Sequence, residues 1–340
     1  MNTLTSMRFS LSVLALATST FAQSSGAGSA EFVFLRNFQG ARMAGMVGIP
    51  APGEDLGQMV LQPASFARLT TTRVEIGSRY QMPGISTGSG AYASKFMSGV
   101  LAGRFDYMNA GEIVGRTGNN DLTGKIHQPS EMMLDIAFAE PLGDRLAWGA
   151  GFKAIQENLD IDGSQAWGLA VDLGATFQPG SRQLAYSLYM ANLGTKLSGH
   201  TRSERNYGSL PLTFGFGTRF TPPRPRGIGL HLDVQKPIDN EIMVRLGAEY
   251  KVSRWIDVRA GWRTDVQEIS DGFRTWFLGR ELEETAALHD LRWSLGGTAR
   301  AGDIGVTYAF QWWTLLDPVH SITLTWDIGR FARSSGDESQ

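Results

Sequence analysis

The chain has no cysteine, which excludes a disulfide framework, a thiolate metal site and a thiol-linked bacterial lipoprotein anchor. Beyond its first residues it also lacks any run near the ~20 consecutive apolar residues that a transmembrane helix needs. An excess of charge of one sign is missing too. With 31 basic and 33 acidic residues the formal charge is −2, which gives no strong attraction to nucleic acid. Histidine is scarce, with 5 in the chain, at 127, 200, 231, 289 and 320, and no pair has the helical H-x-x-x-H spacing of a zinc hydrolase. Ser321 adjoins His320, but neighbours on a strand point to opposite faces and cannot form a nucleophile and base. No catalytic residue, metal ligand or cofactor-binding residue is expected, so the chain reads as a non-enzyme.

The N-terminus holds one charge, Arg8, then an apolar stretch from Phe9 to Ala17, then Thr20-Phe21-Ala22 before Gln23. This is the three-part pattern of a secretory signal peptide over residues 1–22, cleaved near Ala22. An exported chain with no spanning helix reaches a membrane through a closed barrel, because lipid leaves no other way to satisfy the backbone.

After residue 68 the chain alternates apolar with polar or glycine. Ile228, Leu230, Leu232 and Val234 interleave with Gly229, His231, Asp233 and Gln235. Likewise Ile242, Val244, Leu246, Ala248 and Tyr250 interleave with Met243, Arg245, Gly247, Glu249 and Lys251. Such a strand suits lipid on one face and a wet lumen on the other. A soluble β-sandwich alternates as well, but two features favour the membrane. Tyr80, Trp148, Tyr250, Trp255, Trp262, Trp312 and Trp326 fall near strand ends, where interfacial girdles form. Moreover, the longest connections, 110–129, 195–210 and 266–287, follow only odd-numbered strands, whereas tight turns such as Pro141–Asp144 and Pro223–Pro225 follow even ones. The expected fold is all-β: a transmembrane outer-membrane β-barrel of about fourteen antiparallel strands over residues 69–331, in a Gram-negative bacterium. A polar tail, residues 332–340, follows.

Residues 23–68 do not alternate and carry Gly40, Gly45, Gly48, Pro50, Pro52, Gly53 and Pro63. That is too many breakers for a barrel strand. The apolar residues Phe32, Phe34, Leu35, Phe38, Met43 and Met46 favour a hatch folded into the lumen over a disordered leader. The luminal and hatch candidates are Arg42, Glu54, Asp55, Gln62, Arg219, Arg245, Glu249 and Arg259. Mixed charges on an interior either brace the barrel as ion pairs or line a selective conduit. The 266–287 loop offers Phe273, Trp276, Phe277 and Leu278, and the 195–210 loop offers Lys196, Arg202, Arg205 and Tyr207. Aromatics dominate interface anchors, so both loops are candidates for partner contact; the alternative is that the aromatics pack on the barrel rim.

Several motifs occur in order: Phe34-Leu35, Gly40-Ala41-Arg42, Gly45-Met46, Glu54-Asp55 and Gln62-Pro63-Ala64, then Leu146 to Lys153, Leu169 to Gly174, Asn192-Leu193-Gly194 and Leu210-Pro211-Leu212. Together they resemble the PorV/PorQ family of outer-membrane proteins, with Val47 in place of a glycine and Gln62 in place of an asparagine. The resemblance implies a FadL-like fourteen-stranded barrel with an N-terminal hatch, serving the type IX secretion system. Its implied partners are secretion-system or surface-attachment proteins and secreted cargo, with outer-membrane lipid around it. Two functions are carried forward. The first is an outer-membrane barrel that supports secretion or surface attachment by binding protein partners through its extracellular loops. The second is a FadL-like transporter of hydrophobic small molecules.

Overall fold

The computed structural model describes residues 30–37, 39–50, 55–82, 84–160, 164–180, 183–199, 209–265, 291–313 and 318–330. Three strands come first, β1 (Thr71–Met82), β2 (Ile85–Phe96) and β3 (Gly99–Asn109). A short hairpin follows, β4 (Ile113–Arg116) and β5 (Leu122–His127). The chain then continues through β6 (Ser130–Leu142), β7 (Leu146–Asn158), β8 (Gln165–Phe177), β9 (Leu184–Ser198), β10 (Thr213–Phe220) and β11 (Ile228–Pro237). It ends with β12 (Met243–Lys251), β13 (Ile256–Asp265), β14 (Leu291–Ala301), β15 (Ile304–Trp313) and β16 (Val319–Arg330). All but β4 and β5 form one closed barrel in which each strand pairs with its chain neighbours. β1 closes it against β16 in antiparallel register, Arg73 opposite Asp327 and Ile76 opposite Leu324. The fold is therefore the expected fourteen-stranded outer-membrane barrel, and closure leaves no sheet edge for lipid to expose.

Burial is inverted relative to a soluble protein. Ile76 is 60% exposed and Leu188 63%, whereas Asp135, Asp172 and Asp233 are 0% exposed. Large apolar side chains outside and charges inside are what a lipid-facing belt and a filled lumen require. Trp148, Trp255 and Trp326 stand out near one end of the strands, and Trp167, Trp262 and Trp312 near the other, forming two girdles. The end that carries the tight turns 97–98, 143–145 and 302–303 is the periplasmic one, and it holds both the start of β1 and the end of β16.

Two details differ from the sequence expectation. The 110–129 connection is not plain loop; β4 and β5 pair within it, with Ile113 opposite His127. Lys196, expected in a loop, lies on β9, which runs on to Ser198. The residues expected to form the signal peptide, the tail and the whole of the 266–287 loop lie outside the described residues, as does Phe38.

The described residues between 30 and 70 lie inside the barrel. Their start is at the extracellular rim, where Ala30 bridges Ser209 and the Glu31 carboxylate meets Lys196 Nζ at 2.6 Å. The segment forms single helical turns, Val33–Arg36, Ala41–Ala44, Leu56–Gln58 and Pro63–Phe66, rather than longer elements. Its closely spaced glycines and prolines forbid longer helices.

Candidate functional site: a plugged lumen with a polar vestibule

The hatch meets the wall differently on its two sides: one is packed by apolar contacts set among buried charges such as Arg104, Asp106, Asp135, Lys153 and Asp172, and the other leaves a polar cavity. Toward β2, β3 and β6–β9, its Phe32, Phe34, Leu35, Met43, Leu56, Met59 and Phe66 are buried against small or flexible wall residues such as Ala93, Ala102, Met133, Ala137, Ile155 and Ala170. Large side chains come from the plug and many small ones from the wall, so the two surfaces interdigitate. Inward glycines permit closer approach still: a Cβ at Gly149 would lie 2.7 Å from Pro63 C, and one at Gly261 would lie 2.7 Å from Met46 C.

Because the hatch has little regular structure, its backbone groups need partners from the wall. Lys153 Nζ donates to Val60 O at 2.6 Å, Arg79 Nη1 to Asn37 O at 2.6 Å and Arg245 Nη1 to Gly48 O at 2.9 Å. In the other direction, Ala41 N donates to Thr323 Oγ1, Val47 N to Ser294 Oγ and Leu56 N to Glu75 Oε1, at 3.1, 2.9 and 3.2 Å. Ion pairs add fixed points. Arg36 pairs with Asp239 on the extracellular side, and Arg42 Nη2 reaches Glu249 Oε2, toward the other end of β12, at 2.9 Å. Gln62 is fully buried. Its Oε1 accepts from Ala64 N, and its Nε2 donates to the Ala175 and Leu188 carbonyls of β8 and β9.

On the other side, facing β10–β16 and β1, the hatch leaves a cavity of about 390 Å³. It is lined by Arg42 and Asp55 of the hatch and by Arg73, Glu75, Arg219, Glu249, Asp257, Arg259, Arg300 and Asp327 of the wall. Gly302 and Asp303 of the β14–β15 turn also line it, so it opens at the periplasmic end. The charges are largely paired with one another. Arg73 Nε sits 2.7 Å from Asp327 Oδ1, Arg300 Nη1 sits 2.5 Å from Asp257 Oδ2, and Arg259 Nε sits 3.6 Å from Glu249 Oε2. Mutual neutralisation by charges of both signs makes this a hydrated vestibule rather than a site tuned to one ion.

Of the luminal and hatch candidates, Arg42, Asp55, Arg219, Glu249 and Arg259 line this one cavity. Arg245 and Gln62 are also luminal but hold the hatch elsewhere. Arg300 and Asp327 complete the vestibule and were not among the candidates, although Asp327 shares the polar row of the last strand. Lys196 is tied to Glu31 rather than presented to a partner. Glu54, Arg202, Arg205, Tyr207, Phe273, Trp276, Phe277 and Leu278 lie outside the described residues. Among those described, no group of His, Cys, Asp and Glu has the arrangement of a metal site.

No family model matches the chain, and no curated protein matches it in sequence. Solved structures do match. A Pseudomonas putida toluene transporter, TodX, superposes with a TM-score of 0.60 at 10% identity, covering 87% of this chain and 100% of that one. CymD, a monoaromatic hydrocarbon channel, superposes with a TM-score of 0.57 at 13% identity, covering 87% of this chain and 99% of that one. At these identities the likeness shows the fold: this chain is an outer-membrane β-barrel of the architecture those channels use.

Proposed function

We propose that the protein is a hatch-gated outer-membrane channel for small hydrophobic molecules. The observation that carries this reading is the barrel fold shared, over 87% of this chain, with channels that move toluene and other monoaromatic hydrocarbons. Residues 1–22 serve as the export signal in this account. The apolar side of the lumen supplies the solvent such a molecule needs, and the hatch's own Phe32, Phe34 and Leu35 fill it in the closed state. The barrel wall is weakest beside them. The β9–β10 ladder stops at Ala191 opposite Thr213, so residues 192–198 of β9 have no β10 partner. A bulge at Asn192, with φ 63°, and a register shift between Val171 and Leu173 mark the same place. Withdrawal of Phe32 from this break gives an apolar solute a way into the lumen, and the polar vestibule is its exit to the periplasm.

A second reading rests on the chemistry of the large cavity. Its lining is charged, whereas an apolar solute calls for an apolar pocket. A barrel of the PorV/PorQ kind, with a permanently seated hatch, would instead bind secretion or attachment proteins through its extracellular loops. Mass spectrometry of the tagged protein, purified from outer membranes in mild detergent, separates the two. The channel reading expects co-purified apolar small molecules and no stoichiometric protein. Recovery of secreted or attachment-complex proteins, lost when residues 195–210 and 266–287 are trimmed, would overturn it in favour of the second.

A further inference from the structure

β1 turns Arg79 into the lumen, opposite Thr87 of β2 and Ser321 of β16. The guanidinium is buried, with 5% of the residue exposed, and its one hydrogen bond to a described residue is from Nη1 to the Asn37 carbonyl of the hatch. Nε has no partner, and no carboxylate of the described residues pairs with it. Arg104 nearby is neutralised by Asp106, through Nε to Oδ2 at 2.7 Å and Nη2 to Oδ1 at 2.6 Å. One positive charge is therefore left uncompensated in a buried place, a costly arrangement unless something charged or strongly polar sits beside it.

Beside Arg79 is a small, partly open space of about 10 Å³, bounded by Arg104, Asp106, Ser89, Ser321 and Thr323 and by the hatch at Asn37, Gln39 and Ala41. That is room for one body the size of a water molecule or a halide. Ser321 Oγ is buried there with no partner of its own, so its proton is free to be donated. Thr323 Oγ1 already accepts from Ala41 N, which leaves its hydroxyl proton available as well. Asp106, which also lines the space, accepts a hydrogen bond from Arg104 on each of its oxygens, so its charge is offset by that guanidinium. The site thus offers a buried cation and hydroxyl donors in a small volume.

We propose that this cavity binds one small monovalent anion of chloride size, held by Arg79 and the Ser321 hydroxyl, which fastens the hatch to the β1–β16 wall. The ion would stabilise the seated hatch through its binding, independently of which solute the channel carries.

The test uses the full-length protein in detergent, with thermal unfolding followed in sodium chloride, sodium bromide and sodium gluconate at matched ionic strength. Saturable halide stabilisation, a rise of about 2–4 °C in Tm over gluconate, is expected for the wild type and lost in Arg79→Met. Crystals grown in bromide should show an anomalous peak between Arg79 and Ser321. Superimposable unfolding curves in the three salts, or a halide effect that persists in Arg79→Met, would overturn the proposal. Should Arg79→Met fail to fold, Ser321→Ala and the wild-type bromide map decide it, and a peak-free map with a water in the cavity counts against it.

Discussion

Gly174 has no side chain because Gln62 occupies the space: a Cβ there would lie 1.7 Å from Gln62 Oε1 and 3.2 Å from Ala64 N. Gly45 and Gly296 face each other in the same way, each Cβ meeting the other's Cα near 3 Å. Inward-facing glycines therefore mark where the hatch lies on the wall. Gly174→Val should force the Pro63–Phe66 turn off β7 and β8, at a cost of about 1–3 kcal/mol. Limited proteolysis of residues 55–70 and a lowered Tm would register it. Gly90, with nothing within 4 Å of its Cβ position, is the control, and Gly90→Val should leave both unchanged. Equal proteolysis of the two variants would contradict this account of the glycines. The charged rows were legible in the sequence, since alternation alone turns Arg73, Glu75, Arg79, Asp135, Lys153 and Asp172 inward, and all are buried. What was not legible is the partner each one takes. Lys153 bonds to Val60 O and Asn192 Oδ1, and Arg245 to Gly48 O, in contacts that cross 93, 39 and 197 positions of chain. No local pattern encodes such pairings.

Strands were the easiest elements to place because a period of two persists through each of them. In β12, Leu246 faces lipid while Arg245 and Glu249 face the lumen. Leu246→Arg, near the middle of that strand, should cost about 2–4 kcal/mol in a membrane, whereas a polar change on the luminal side of the vestibule should cost less and alter conductance instead. Equilibrium unfolding in lipid vesicles measures the difference; a Leu246→Arg variant as stable as wild type would mean that this face does not meet lipid. The β4–β5 hairpin escaped notice for a physical reason. It is short, and Ile113, Val114, Leu122 and Ile126 are all exposed, so neither of its faces carries the contrast that alternation detects. The strand β9 was expected to stop at Gly194 with a loop from 195, whereas it runs on to Ser198. Asn192 in fact stays within the strand as a bulge, its backbone N bonded to Asp172 Oδ1 at 2.7 Å.

For the molecule as a whole, the even strand count and the alternating connections predicted a closed barrel, and the structure is one. Its centre is not an open pore. The hatch runs from the extracellular rim at Ala30 to the periplasmic start of β1, fills the apolar side of the lumen and leaves a polar vestibule below. The central claim is that this plug moves to admit small hydrophobic molecules. The absence of cysteine makes a direct test clean, since a single introduced pair can lock the plug. Ala41 and Ala44 of the hatch form one buried cluster with Ala309 of β15, so the double variant Ala44→Cys, Ala309→Cys is designed to tie hatch and wall together on oxidation. The measurement is uptake of radiolabelled toluene by cells carrying this variant in the outer membrane, oxidised and then reduced, beside cells without the protein. The account predicts uptake above the protein-free cells when reduced, a fall to their level when oxidised, and recovery on reduction. Uptake no greater than that of protein-free cells in either state, or uptake unaffected by the lock, would contradict it.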